Sequence, residues 1–140
     1  MSFYAYSPLA GGFLAKTANV ITEGKEQRWS TETRVGAMYQ KLYNRPVLLE
    51  ALTRWEEIAK SAGTSKAELA IRWVAYNSRL SAKFGDGLIL GAKSPEQLDN
   101  TLQSLRNGPL EEEIAMQIDA LWEAVKDEAP VDNFRMRKES

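Results

Sequence analysis

Two short apolar runs, each ending in a break, set the limits on what this chain can build. Leu88-Ile89-Leu90-Gly91 is continuous and without alternation, the pattern of a strand covered on both faces in a parallel sheet flanked by helices. It feeds Ala92-Lys93-Ser94-Pro95-Glu96-Gln97-Leu98, where a capping Ser, a Pro at the first helical position and a Gln three residues past the cap open a helix. The other run, Ser2 to Tyr6, reads as a short strand that Ser7-Pro8-Leu9-Ala10-Gly11-Gly12 stops, because Pro and paired Gly interrupt an extended chain.

The segment between the strands is helical in pattern. Ala15 to Ser30 is polar, without period, and longer than most connections in a compact domain, which predicts a functional lid or a disordered loop. Thr31 to Tyr43 has helical spacing through Val35, Met38 and Leu42, weakened by Gly36. Pro46 to Ala62 is an amphipathic helix with Leu48, Leu49, Leu52, Trp55, Ile58 and Ala59 on one stripe and Gly63 as its stop. Ser65-Lys66-Ala67-Glu68 has capping-box spacing and starts a helix that reaches about Asn77. The helix opened by Ser94 ends near Arg106, and a last one runs from about Glu111 to Lys126 through Ile114, Ile118, Leu121, Trp122 and Val125. From Ala129 the tail is polar and predicted to fray.

With 140 residues and 44% apolar content, residues 1–140 suit a single domain that buries roughly two-thirds of the surface of its unfolded chain. The 18 basic and 19 acidic residues nearly cancel and form no basic stripe, so the electrostatic footprint of a nucleic-acid-binding protein is missing. No stretch reaches the ~18 apolar residues of a membrane span, and the N-terminus lacks the charged region of a signal peptide, which leads to the expectation of a cytoplasmic protein. With no Cys and no His, there is no thiolate, imidazole base or imidazole metal ligand, and no metal site is expected.

The two strand ends together resemble the cofactor-binding end of the aldo-keto reductases, in the branch that includes the aflatoxin-aldehyde reductases. The likeness extends over essentially the whole chain, through Trp55 and Arg72-Trp73 to Asn133-Phe134-Arg135. It implies an α/β fold, the C-terminal part of a TIM (β/α)8 barrel, helix-rich with about two short parallel strands and completed by self-association. It also implies NADP(H) as cofactor. By that resemblance Tyr6 stacks on the nicotinamide, while Ser7 and Leu9 lie against the pyrophosphate and Lys16 and Arg28 close over the phosphates. Lys93 would neutralise the 2′-phosphate, with hydrogen bonds from Ser94 and the N–H of Glu96. Gln97 stands where many members have Arg, and Asn100-Thr101 where Glu-Asn more often holds the adenine. The family's catalytic Asp, Tyr, Lys and His lie on strands that precede Tyr6, so the resemblance implies no catalytic residue here and no reductase activity from these residues alone.

Plainer readings stand beside these. Ser94 to Gln97 is also what any well-capped surface helix looks like, Tyr6 can plug a sheet end, and Lys16 and Arg28 can be solvated surface charges. Tyr39 and Tyr43, four apart, line the mouth of a substrate pocket or simply form a packed helix face, and the second reading is preferred. Asp86, between two glycines, reaches a ligand or bonds its own turn. Two other functions compete with the reductase reading. One is a stand-alone half-barrel that binds a small molecule, or acts as a cofactor-independent isomerase or cyclase, through a pocket of Tyr6, Tyr39, Tyr43, Trp29 and Arg28. The other is a partner that completes or blocks a longer homologue. The expected partners are a small-molecule ligand and either a second copy or a complementary barrel half, with neither nucleic acid nor membrane.

Overall fold

The structure, a computed structural model, describes residues 1–26 and 28–130. Asn133-Phe134-Arg135 and most of the predicted frayed tail lie outside the described residues. Strand β1 (Tyr4–Tyr6) is followed by a 3-10 turn (Ala10–Ala15) and by helices α1 (Ala18–Glu23), α2 (Arg34–Tyr43), α3 (Pro46–Ser61) and α4 (Lys66–Arg72). Helix α4 widens into a π-helical turn at Trp73–Asn77, and a 3-10 turn at Ala82–Phe84 leads into strand β2 (Gly87–Ile89). Helices α5 (Pro95–Arg106) and α6 (Glu112–Val125) complete the order.

The strands pair in parallel, with Tyr4 opposite Gly87, Ala5 opposite Leu88 and Tyr6 opposite Ile89. Parallel pairing requires a long crossover, and α1 to α4 supply it. Both strands are shorter than the apolar runs suggest, and β2 ends at Ile89 where the sequence predicts Gly91. Its two faces also differ. Side chains alternate across a strand, so Tyr4, Tyr6 and Ile89 share one face and all three are exposed. Ala5 and Leu88 turn to the other face, towards the π-helical turn.

The core is helical. Phe13, Ile21 and Trp29 join Leu48, Leu52, Trp55, Ile58 and Ala59 of α3, Leu69 and Ala70 of α4, and Leu110, Ile114 and Ile118 on and beside α6. The aperiodic loop expected over 15–30 is therefore corrected. It contains α1, whose Ile21 is fully buried, and Trp29 retains only 1% of its surface. Six residues are too few for a helical period to register, and this segment holds its place by two anchors rather than by a stripe.

Gly36, which weakens the helical pattern, is required by the packing. A Cβ there would run into the carbonyl of Ser30 and lie 2.8 Å from the hydroxyl of Thr33. That hydroxyl caps α2 by accepting from the Gly36 N–H at 2.9 Å. The cap predicted for α4 also forms, with Ser65 Oγ accepting from the Glu68 N–H at 3.1 Å. Arg72 then ties α4 to the loop before α6, donating to the carbonyls of Gly108 and Pro109 at 2.8 and 2.9 Å.

Candidate functional site

Because the strands are parallel and in register, both deliver the chain to the same edge of the sheet. The Ser7–Gly12 loop leaves from Tyr6, and Leu90–Ser94 leaves from Ile89 opposite it. The Tyr6 side chain keeps 65% of its surface, so its ring is available to stack on a flat ligand. The sequence places Tyr6, Ser7, Lys93 and Ser94 in one site, and the sheet register brings their strand ends together.

The loop after β1 has an uncommon backbone. Ser7 and Ala10 adopt φ of 54° and 50°, and Gly11 and Gly12 adopt 69° and 100°. Left-handed geometry costs a non-glycine residue about 1–2 kcal/mol, so the surroundings must enforce it. The Ala10 N–H donates to Ser7 O at 2.8 Å and the Gly12 N–H to Leu9 O at 2.9 Å. From behind, Arg28 Nη1 donates to Gly11 O at 3.2 Å, Trp55 Nε1 to Leu14 O at 3.1 Å and Lys66 Nζ to Lys16 O at 2.6 Å. Leu9 itself packs its side chain against the core, which leaves its backbone for any ligand.

Lys16 and Arg28 have different fates. Arg28 is drawn against the loop at Gly11. Lys16 Nζ is 2.6 Å from the carboxylate of Glu26, a partner that spacing does not announce. At the other strand end Ser94 Oγ accepts from the Gln97 N–H at 3.2 Å, and Gln97 Oε1 accepts from the Lys93 N–H at 2.7 Å. This reciprocal cap satisfies two donors. The Glu96 N–H and the Lys93 ammonium remain without a protein partner among the described residues, and the Ser94 hydroxyl proton is not committed by the cap. These three donors suit an anion, since a helix N-terminus also carries a partial positive charge. Farther along α5, Thr101 Oγ1 donates back to Gln97 O at 2.9 Å, and Asn100 is exposed.

Tyr39 and Tyr43 follow the plainer reading. Tyr43 stacks on Phe13 with ring centroids 4.9 Å apart, Tyr39 stacks on Tyr43 at 6.1 Å, and both meet the buried Trp29. Burial pushes the Tyr43 phenol above its usual pKa, with Tyr39 and then Tyr6 adding to the shift. Of the pocket expected from Tyr6, Tyr39, Tyr43, Trp29 and Arg28, Trp29 has almost no surface to offer a ligand, at 1% exposed. Asp86 likewise bonds its own turn, accepting from the N–H groups of Phe3 at 2.8 Å and Ser81 at 2.9 Å. Those two bonds, Phe3 first, hold its carboxyl below the ordinary range.

The sequence gives no sign of a cavity on the opposite side of β1, about 370 Å³ in volume. Phe3, Ala5, Trp73, Val74, Ser78, Arg79, Leu80 and Asp86 line it. Trp73, one of these lining residues, keeps its Nε1 buried without an acceptor among the described residues.

Comparison with known proteins gives these features a context. The profile of the aldo/keto reductase family matches residues 1–123. The chain is 38% identical over 128 residues to the oxidoreductase sirO of Leptosphaeria maculans, an alignment covering 91% of this chain and 39% of that protein. It is 33% identical over 138 residues to aflatoxin B1 aldehyde reductase member 2 of Rattus norvegicus, covering 93% and 37% respectively. With the human protein of the same name the identity is 31%, over 93% of this chain and 38% of that one. The chain thus spans about two-fifths of the length of these relatives. The match takes in the strand, the left-handed loop and the capped helix alike, and by it the chain belongs to the aldo/keto reductase family.

Proposed function

We propose that these residues hold the nicotinamide dinucleotide of an NADP-dependent aldo-keto reductase and do not reduce carbonyl compounds alone. One observation supports the reading: the parallel register brings to one sheet edge the strand ends that lead to the exposed Tyr6 ring and to Lys93, Ser94 and Glu96, whose free donors have no protein partner among the described residues. Tyr6 takes the nicotinamide face, the Ser7–Gly12 backbone the pyrophosphate, and Lys93 with Ser94 the 2′-phosphate. Gln97 offers a neutral amide where a guanidinium would grip that phosphate as a fork, and its oxygen is committed to the Lys93 N–H. The cofactor, when bound, supplies the hydride. Stabilising the developing alkoxide needs a tuned proton donor, and by the resemblance the residues that do so in the family lie on strands that precede the segment at Tyr6.

Calorimetric titration with NADPH and NADP tests the reading. Saturable binding that falls about tenfold in Lys93→Ala, with little change in melting temperature, is the expected result. A folded chain that binds neither nucleotide overturns the site, and carbonyl-dependent NADPH oxidation by the pure chain overturns the predicted inactivity.

The exposed face of Tyr4, Tyr6 and Ile89, with unpaired outer strand edges among the described residues, supports the companion proposal that a second copy or a complementary barrel half covers it. Sedimentation equilibrium separates the two, because a second copy gives a concentration-dependent mass and a separate half leaves a monomer. The alternative function, a half-barrel that binds a small molecule without hydride chemistry, draws on the 370 Å³ cavity that Trp73 helps to line. A small carbonyl compound that raises the melting temperature of the wild type, and not of Trp73→Phe, would favour it.

A further inference from the structure

Gly11 is the most crowded point of the left-handed run. A Cβ on it would lie 2.7 Å from the hydroxyl oxygen of Tyr39, and closer still to the ring. The Tyr39 ring therefore rests on the bare backbone of the loop, in the volume that any other side chain at position 11 would need. That ring is not free to move aside. Trp29 meets it at 5.5 Å and Tyr43 stacks on it at 6.1 Å, while Tyr43 is itself stacked on Phe13, inside the 3-10 turn that the loop becomes. The carbonyl oxygen of the same residue accepts from Arg28 Nη1.

We propose that Tyr39 is a positioning residue for the Ser7–Gly12 loop: its locked ring, pressed on Gly11, imposes the left-handed run that aims the loop backbone at a dinucleotide's pyrophosphate. The inference rests on the nucleotide reading above and adds to it the element that shapes the site from behind. Ser7 and Ala10 are left-handed without being glycine, so the run does not persist by preference. Something must over-determine it, and the ring is the rigid body in contact. A preorganised loop spends less binding free energy on its own ordering, so losing the ring appears as lost affinity. The hydroxyl is dispensable in this scheme, and the ring is not.

The test uses the full chain as wild type, Tyr39→Phe and Tyr39→Ala, with two measurements on each: calorimetric affinity for NADPH, and exchange of the Gly12 and Leu14 N–H groups, both of which bond Leu9 O in the intact loop. Tyr39→Phe should match the wild type in both. Tyr39→Ala should lose the protection of both amides and weaken NADPH about tenfold, while core amides such as that of Ile58 stay protected. Unchanged Gly12 and Leu14 protection in Tyr39→Ala overturns the positioning role, and so does unchanged affinity. If the wild type binds no dinucleotide, the nucleotide reading fails by itself, and amide exchange still decides whether Tyr39 shapes the loop. Should Tyr39→Ala not fold, Gly11→Ala probes the same contact from the loop side, and wild-type affinity and protection there overturn the proposal.

Discussion

The helical body and the sheet rim of this molecule are built by different rules. The body, from Phe13 through α1, α3, α4 and α6, supplies the whole of the buried apolar cluster. Strands β1 and β2 and helix α5 supply none of it, and their large apolar side chains Tyr4, Tyr6, Ile89, Leu98 and Leu102 stand exposed. Burial is the dominant favourable term in folding, so stability belongs to the body and the candidate site to the rim. The rim keeps its shape through local devices: a reciprocal helix cap, a carboxylate on a turn, and a loop held from behind by Arg28, Trp55 and Tyr39. A surface meant for a ligand or a partner must stay uncovered, and must then be ordered by something other than its own burial.

Matched truncations test this division most sharply. Leu52→Ala removes a side chain that is 1% exposed at the centre of α3 and should cost about 2–5 kcal/mol. Leu102→Ala removes the same atoms from α5, where 43% of the surface is already open, and should stay within about 0.5 kcal/mol. Urea melts of both variants give the comparison directly. A Leu102→Ala loss as large as that of Leu52→Ala would mean that α5 is covered after all, and dependence of that loss on protein concentration would identify the cover as a second copy.

The two serine caps repeat the comparison at smaller scale. Ser65 and Ser94 accept from the third residue beyond them at 3.1 and 3.2 Å, so the bond removed by alanine is nearly the same. Ser65→Ala should lower global stability by about 1 kcal/mol, because α4 carries the buried Leu69 and Ala70. Ser94→Ala should leave the global melt almost unchanged and instead free the first turn of α5, read as faster exchange of the Gln97 amide. Equal global losses would break the distinction between body and rim.

Much of the body was legible in the sequence, because long helices with a regular apolar stripe announce themselves. Pro46 and Gly63 bracket α3 within two residues of where it forms, and the caps at Ser65 and Ser94 close as their spacing predicts. Helix α1 was not legible, since six residues with one buried side chain carry no period. Gly36 reads as a helix breaker in isolation, and only the approach of the Ser30 carbonyl reveals why it is there. In the rim, Tyr6 and the Lys93-Ser94 pair lie at punctuated strand ends, and the family resemblance is what singles them out as candidates. The Glu26 carboxylate on Lys16 and the Tyr39 ring on Gly11 were out of reach, because contacts between distant residues leave no mark on local spacing.

Asp86 offers the smallest and most local test of how the rim is ordered. Its Oδ1 accepts from the Phe3 N–H and its Oδ2 from the Ser81 N–H, so one carboxylate pins the start of β1 to the turn before β2. These bonds favour the ionised form and depress the pKa in the folded chain. A carboxyl depressed on folding adds stability above its unfolded pKa, near 4, and loses that contribution as pH falls through the lower folded value. The group is half-buried and both its partners lie in the rim, so the effect should appear there before it appears in the global melt. Exchange of the Phe3 and Ser81 amides, followed from about pH 5 downwards and corrected for the intrinsic rate, should show protection fading as the carboxyl is protonated. Asp86→Asn has only one acceptor oxygen to divide between two N–H groups, and should show reduced protection with no such fading. Parallel profiles for the wild type and Asp86→Asn would assign the loss to other carboxylates, Glu56 first, whose pKa Lys60 and Lys66 also depress, and would move the acid-sensitive contact from the rim to the body.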